Sequence, residues 1–255
     1  AIYIANKMGI KCILGSATPS LNSYAKFPNF RLKGRFYASQ KEYIYDHSPT
    51  GLNELILGEI SQALQAKKQV IIFLPTRANF KFLICQKCGQ SMQCPYCSIA
   101  LSLHKKNRAM RCHYCGFACM IPSVCAQCSS DMLESRKIGT SELVAQIKEY
   151  FPFASIAKFD RDEITTQKKL TTLLKNFNEY KIDIIVGTQM LSKGHDYHNV
   201  SLAIIMGLDE HLDYSDYQAR SKSLALAMQV AGRAGRANYG RVIIQGLKCE
   251  FFAEY

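Results

Sequence analysis

Eight of the chain's eleven cysteines fall in four CxxC units: Cys85/Cys88, Cys94/Cys97, Cys112/Cys115 and Cys125/Cys128. No other feature restricts the fold as tightly. A CxxC turn offers two sulfurs to one metal, and structural zinc takes four nitrogen or sulfur ligands in a closed tetrahedron. The eight paired thiols therefore supply two zinc ions. A lone CxxC would suit a redox pair equally well, but four in one stretch do not. A disulfide framework belongs to small secreted domains rather than to a long, otherwise cysteine-poor chain. The spacing nests the sites. Cys94/Cys97 and Cys112/Cys115 flank the hairpin-sized segment SIALSLHKKNRAMR and form an inner site. Cys85/Cys88 and Cys125/Cys128 close around it as an outer one. Cys119 and His113 are spare, because eight thiols already saturate two ions. Cys12 and Cys249, in the apolar runs KCILGS and GLKCEFF, read as small buried hydrophobes.

At 255 residues the chain is long enough to bury a sizeable core and to form more than one structural unit. With 48% hydrophobic and 20% charged residues it has an ordinary globular composition. It contains neither a membrane-length apolar run nor a signal peptide. It begins in mid-pattern at Ala1 and stops abruptly after FFAEY, as a piece of something longer would. Free thiols and zinc sites imply a reducing compartment, hence the cytoplasm. The 32 Lys and Arg outnumber the 20 Asp and Glu, a formal charge of +12 that favours a polyanionic partner, nucleic acid above all. Part of the surplus, His104 to Arg108 with Arg111, is expected at a hairpin tip inside the cysteine region. There Lys105, Lys106, Arg108 and Arg111 are candidates for phosphate contact.

Periodicity outlines the rest. The opening residues read as the end of a helix, a turn at Gly9, a buried strand over Lys11–Leu14 and a turn ending at Pro19. Residues 29–52 lack a clear period and read as a linker. Helical spacing over Asn53–Lys68 leads into the strand Gln69–Leu74. After the cysteine region, helices are expected over Ser141–Tyr150, Thr166–Asn178 and Ser221–Val230. Strands are expected over Ala154–Phe159, Asp183–Val186, Ser201–Met206 and Arg241–Gln245. Alternating strands and helices indicate an α/β fold with a parallel sheet, interrupted by a zinc module over residues 84–136.

Three motifs carry chemistry. Gly15-Ser-Ala-Thr-Pro19 follows the first expected strand. Gly187-Thr188-Gln189-Met-Leu-Ser-Lys193-Gly194-His195-Asp196-Tyr197 follows a later one directly, where a hydroxyl and free N–H groups suit a phosphate. Gln229-Val-Ala-Gly232-Arg233-Ala-Gly235-Arg236 places two planar guanidinium forks three residues apart, a pattern suited to phosphate oxygens. Asp209-Glu210-His211 looks like the end of a Walker B box but falls out of order and reads as a decoy. No GxxxxGK[ST] phosphate loop occurs in the 255 residues.

In this order the motifs resemble motifs III, V and VI of the superfamily-two helicases. With the eight-cysteine insertion, the chain resembles the bacterial replication-restart helicases, the primosomal protein N-prime (PriA) family. Motif IV departs from the family pattern, since LPTRANF keeps Arg77 without the usual following glycine. The resemblance implies a RecA-like lobe two with an inserted double-zinc module (53–83, 84–136 and 137–255) and a remnant of lobe one (1–28). It implies ATP-driven 3′-to-5′ movement on forked or single-stranded DNA, with Mg2+, in a monomeric protein that meets primosome and single-strand-binding partners. Arg233 and Arg236 would face the γ-phosphate, with Gln229 orienting them. Gly194, Asp196 and Gly232 would lie at the nucleotide, Thr188 and Gln189 at the DNA backbone, and Ser16 and Thr18 would couple the lobes. A competing class, a non-enzymatic zinc module on an inert α/β scaffold, explains the charge and the cysteines but neither QVAGRAGR nor GTQMLSKGHDY.

Overall fold

Every buried strand of the main sheet needs a parallel partner on each side, and the chain meets this demand with six strands brought together from distant segments. The computed structural model describes residues 2–32, 40–75, 83–97, 100–104, 109–112, 114–134, 139–160, 163–192, 197–213, 216–236 and 239–254. The chain divides into two compact units, Ala1–Gly34 and Arg35–Tyr255. The first holds helices α1 (Ile2–Met8) and α2 (Leu21–Lys26). Gly9 turns the chain out of α1 at φ 64°. The Ser20 side chain caps α2 by accepting from the Ser23 N–H at 3.1 Å.

The second unit begins with β1 (Gln40–Asp46), α3 (Glu54–Gln65) and β2 (Gln69–Phe73). A cysteine-rich insertion follows, with the short strands β3 (Ile84–Cys85), β4 (Ser102–His104), β5 (Ala109–Arg111), β6 (Ala118–Met120) and β7 (Leu133–Glu134). The chain then resumes with α4 (Thr140–Tyr150), β8 (Ile156–Phe159), α5 (Gln167–Asn178), β9 (Ile184–Gly187) and β10 (Val200–Met206). It ends with α6 (Ala219–Ala231), β11 (Tyr239–Gln245) and α7 (Glu250–Ala253). The sheet order is β1-β11-β10-β2-β9-β8, and every pairing is parallel. Among the described residues, no helix is long and apolar enough to cross a membrane.

Alternation along the strands builds a core on each face. From β2, Ile71 and Phe73 join Phe159, Phe177, Ile205 and Ile244 on one face. Val70 and Ile72 join Ile56, Ile60, Leu143 and Ile204 on the other. Burial on both faces explains the near-continuous apolar runs of β2, β9 and β10. Helix starts are fixed locally. Asn53 accepts from the Ile56 N–H at 2.9 Å, and Thr166 from the Lys169 N–H at 3.3 Å. Each satisfies a donor that the first helical turn leaves unpaired.

Three expectations need correction. Residues 11–14 form no strand, and Ile13 is 95% exposed. A strand requires a neighbour for its ladder hydrogen bonds, and no described strand pairs there. Cys12 is exposed for the same reason. The segment 29–52, read as a linker, contains β1. The strand QKEYIYD lies at a sheet edge and carries polar residues, so its apolar alternation is weak. Its parallel register with β11, from Gln40↔Tyr239 to Asp46↔Gln245, forms across nearly two hundred residues.

The segments around Thr140 and Asp160 meet inside this fold. Asp160, at the end of β8, accepts from the Thr140 hydroxyl at the start of α4 (3.0 Å) and from the Glu163 N–H (3.0 Å). Lys158 Nζ lies 3.2 Å from the same carboxylate. Burial alone would raise its pKa, but the Glu163 N–H, Lys158 and Thr140 outweigh burial and hold it below the usual aspartate value. A depressed folded pKa contributes stability above about pH 4, the unfolded value, and that stability is lost as the pH falls through the folded pKa. Asp160→Asn should therefore lower unfolding free energy at neutral pH by about 1–3 kcal/mol. Urea titrations at a series of pH values should also show a shallower acid dependence in the variant than in the parent.

Candidate functional site

The cysteine spacing is realised as two sulfur clusters. The Sγ atoms of Cys85, Cys88, Cys125 and Cys128 all lie within 4.8 Å of one another, and so do those of Cys94, Cys97, Cys112 and Cys115. Across the CxxC pairs, Cys85–Cys128, Cys88–Cys125 and Cys94–Cys115 are 3.5, 3.7 and 3.6 Å apart. A tetrahedron with Zn–S bonds of about 2.3 Å sets its sulfurs about 3.8 Å apart. All eight cysteines are free thiols. Both clusters thus fit zinc, in the nested pairing that the spacing implies.

The backbone prepares the clusters for a cation. The Tyr114 and Cys115 N–H groups point at Cys112 Sγ (3.4 and 3.5 Å), and the Gln127 N–H points at Cys125 Sγ (3.4 Å). The Cys115 N–H is the strongest influence on Cys112, and against the opposing effect of burial its thiol comes down to about 7. For Cys85 burial is the largest influence and opposes ionisation, but the Cys88 and Lys87 N–H groups and the Cys128 thiol bring it to about 7 as well. Cys97 is pushed up to about 12, first by burial and then by the Cys115 and Cys112 thiols. Four thiols this close do not all ionise unaided, and a divalent cation at their centre lets them do so.

The insertion is seated on the sheet through its outer cluster. Gly89, directly after Cys88, turns at φ 70°. A Cβ there would lie 2.9 Å from Leu247 Cβ. Leu247 follows β11, so the outer site rests at the carboxyl end of the main sheet. The strands β4-β5-β6 form a small antiparallel sheet. Its register, Ser102↔Arg111 to His104↔Ala109, assigns Arg111 to the end of β5 away from the turn, beside Cys112. The expectation of Arg111 at the hairpin tip is therefore corrected, because the tip closes between His104 and Ala109. Lys105, Lys106, Arg108 and the spare His113 lie outside the described residues. Cys119 is half-buried in β6.

The motif residues gather around β9, β10 and the end of α6. Gly187 ends β9 where a Cβ would strike the Phe159 carbonyl at 2.5 Å. Thr188 is buried, and Gln189 opens a short 3-10 turn with its side chain exposed. Of that pair, only Gln189 presents its side chain to solvent. Gly194 and Asp196, like Arg77 upstream, lie outside the described residues. Tyr197 is buried against Phe177, edge to face, with ring centroids 5.3 Å apart.

Gln229 is half-buried on α6, and Gly232 caps the helix through its N–H to the Met228 carbonyl (2.9 Å). Lys41 of β1 donates to the Ala231 carbonyl at 2.7 Å, placing a cation at the helix's negative end. The turn then runs through Arg233, which is buried, to Arg236, which is half-buried with Nε 3.4 Å from the Gly232 carbonyl. Burial lowers the Arg233 pKa, and its interaction with Tyr197 opposes that effect. Gly235 sits at φ 69°, and its N–H donates to the Val200 carbonyl at 2.8 Å. A Cβ on it would come 2.7 Å from Gly240 N. The arginine turn is thus bolted to the first residue of β10. Ser16 and Thr18 sit in the first unit, where Ser16 Oγ accepts from the Thr18 N–H at 3.1 Å.

Asp209 is structural. It accepts from the Lys248 N–H at 2.9 Å, and a Cβ on Gly246 would fall 2.2 Å from its Oδ1. It holds the segment that follows β11. Sequence reasoning missed Lys41, Leu247 and Arg241. The Arg241 Nη1 donates to both Glu59 oxygens at 2.8 Å, and its Nε to Glu42 at 3.0 Å. All three pair with residues far away in sequence, so no local pattern marks them.

Comparison with known proteins agrees with this arrangement. Residues 130–238 match the family described as helicase conserved C-terminal domain. Residues 94–119 match the PriA DNA helicase Cys-rich region domain. Replication restart protein PriA of Helicobacter pylori is 42% identical over 257 residues, covering 100% of this chain and 42% of its own length. The Bacillus subtilis protein of the same name is 31% identical, covering 96% of this chain and 32% of its own length. The chain thus spans less than half the length of these curated relatives. The structure of Saccharomyces cerevisiae Dbp5 bound to RNA and ADP BeF3 aligns over 99% of this chain and 53% of its own, with a TM-score of 0.50 and 16% identity. At that identity the likeness concerns the fold alone.

Elemental analysis of anaerobically purified protein should find two zinc ions per chain. Cys94→Ala should lose the inner ion while far-ultraviolet circular dichroism keeps the α/β signal of the sheet. Gly89→Val should loosen the seat of the module, because the new side chain meets Leu247 and strains the turn. Hydrogen exchange across residues 83–134 should rise in that variant while the zinc content stays at two.

Proposed function

The chain belongs to the PriA family of replication-restart proteins, and from that premise we propose that it supplies the second helicase lobe and the zinc module of an ATP-driven DNA helicase acting at arrested replication forks. In this reading residues 53–83 and 137–255, with the edge strand β1 (Gln40–Asp46), are the lobe, 84–136 the inserted module and 1–28 a remnant of the first lobe. The observation that carries it is the tether of the arginine turn. Gly235 hydrogen-bonds to Val200 at the exit of the Gly187–Tyr197 loop, so a shift in one loop is passed to the other without slack.

Arg233 and Arg236 stabilise charge that develops on the transferred γ-phosphoryl group, the role of an arginine finger. Buried Arg233 is held by the lobe, and half-buried Arg236 is the more accessible of the two. Gln229 orients them from the last turn of α6. Gly194, Asp196 and Gly232 complete the nucleotide face. Gln189 and the backbone at Thr188 approach the DNA phosphates. Ser16 and Thr18 relay between the lobes. The zinc ions are structural, holding the knuckles of the module without taking part in hydrolysis. Holding the β-phosphate calls for a phosphate loop, and no GxxxxGK[ST] pattern occurs in these 255 residues. Movement in the 3′-to-5′ direction, monomeric action, contacts with primosome and single-strand-binding proteins and a cytoplasmic location complete the reading by family resemblance.

The purified chain alone should show no DNA-stimulated ATP turnover above an Arg236→Ala control. In the full-length parent, Arg233→Ala or Arg236→Ala should cut turnover by about a thousandfold or more and leave DNA affinity nearly unchanged. Variants that hydrolysed ATP normally but bound DNA poorly would invert the two roles.

A further inference from the structure

The two knuckles of the inner zinc site carry the same residue at the same place. Tyr96 precedes Cys97 and Tyr114 precedes Cys115, whereas the outer site has Lys87 and Gln127 at the equivalent positions. Tyr96 is 75% exposed and Tyr114 is 82% exposed. Single exposed aromatics are ordinary, but these two stand on backbone whose N–H groups are engaged with a sulfur or whose flanking cysteines belong to one cluster. Tyr96 is steadied further by Phe117, which meets it edge to face at 5.4 Å and 74°. Whichever ring presents its edge, such a contact leaves at least one face of Tyr96 uncovered by Phe117.

We propose that Tyr96 and Tyr114 form a stacking platform for unpaired bases of a single nucleic-acid strand. The occupant follows from charge and shape. The segment 83–134 holds five Lys or Arg against only Asp131 and Glu134. Lys87 and Arg111 are exposed within it. Rigid aromatic faces set in a basic surface are what non-specific single-strand binding uses, stacking for the bases and cations for the phosphates. An acidic or neutral surface would instead suit a protein partner. The knuckle geometry adds pre-organisation, because the metal fixes both turns before any strand arrives. The inference takes only the class of ligand from the proposed function.

The test uses the full 255-residue chain and an oligothymidylate of about 20 nucleotides, longer than a typical stacking site. Tyr96→Ala and Tyr114→Ala should each weaken binding by about 5- to 100-fold, the range for loss of one stacked base. Tyr→Phe at either position should bind within about twofold of the parent, since the ring and not the hydroxyl does the stacking. The salt dependence of affinity should keep its slope in all four variants, because no phosphate contact is removed. The chain contains no tryptophan, so Tyr96→Trp and Tyr114→Trp each give a single indole, excited selectively apart from the tyrosines, whose fluorescence should be quenched on binding. This reading does not depend on the Ala variants folding. Unchanged affinity in the Ala variants with two zinc ions retained, or unquenched Trp emission at saturating DNA, would overturn the platform. If the parent chain itself failed to bind the strand, the DNA-directed function would fall first, which separates the two readings.

Discussion

The parallel ladder between β10 and β11 is the contact on which the arrangement depends. The first residue of β10 receives the N–H of Gly235, and β11 starts only three residues after the arginine turn. At the far ends of the same strands, Asp209 clamps Gly246 and Lys248, and Leu247 receives Gly89 of the outer zinc knuckle. One strand pair therefore carries the arginine turn at one end and the cysteine-rich module at the other. At about 3.3 Å per residue, a seven-residue strand separates them by roughly 20 Å. Because both strands are buried on both faces, the pair behaves as a strut.

The glycines around this strut are there for close approach. Gly235 and Gly240 lie back to back, each with a backbone atom within 2.7 Å of where a Cβ on the other would sit. The second glycine of GRAGR is thus explained by steric need. The turn must pass against the start of β11 to reach Val200, and any side chain at either glycine would push it away. Lys41 then closes the end of α6 from the edge strand, which ties β1 to the same turn.

The zinc module solves a different problem. Its apolar core is small, formed by Leu83, Leu101 and Met110 with Cys94 and Cys112. A segment of this size cannot offset the entropy of ordering itself by burial alone, and metal ligation supplies the difference. Metal-held turns are also indifferent to what their outward side chains are. The same knuckle carries Tyr in the inner site and Lys or Gln in the outer one, so binding chemistry can be placed there without cost to the fold.

Much of this was legible in the sequence. The CxxC spacing determined both zinc sets and their nesting, because ligand geometry is local and the chain between pairs is short. Apolar runs marked the central strands β2, β9, β10 and β11, since burial on both faces leaves no alternation to misread. GTQMLSKGHDY and QVAGRAGR marked the segments that follow β9 and close α6. The tertiary structure alone decided the rest. It made a strand of 40–46 and withheld one from 11–14, because a strand's hydrogen bonds belong to its neighbour. It buried Thr188 and Arg233 while leaving Gln189 exposed, and moved Arg111 from the hairpin tip to its base through a register that only pairing sets. The anchors Lys41, Leu247 and Arg241 came from the same source. Local chemistry is written in short patterns, but packing joins residues two hundred positions apart, and no short pattern records which of them will meet.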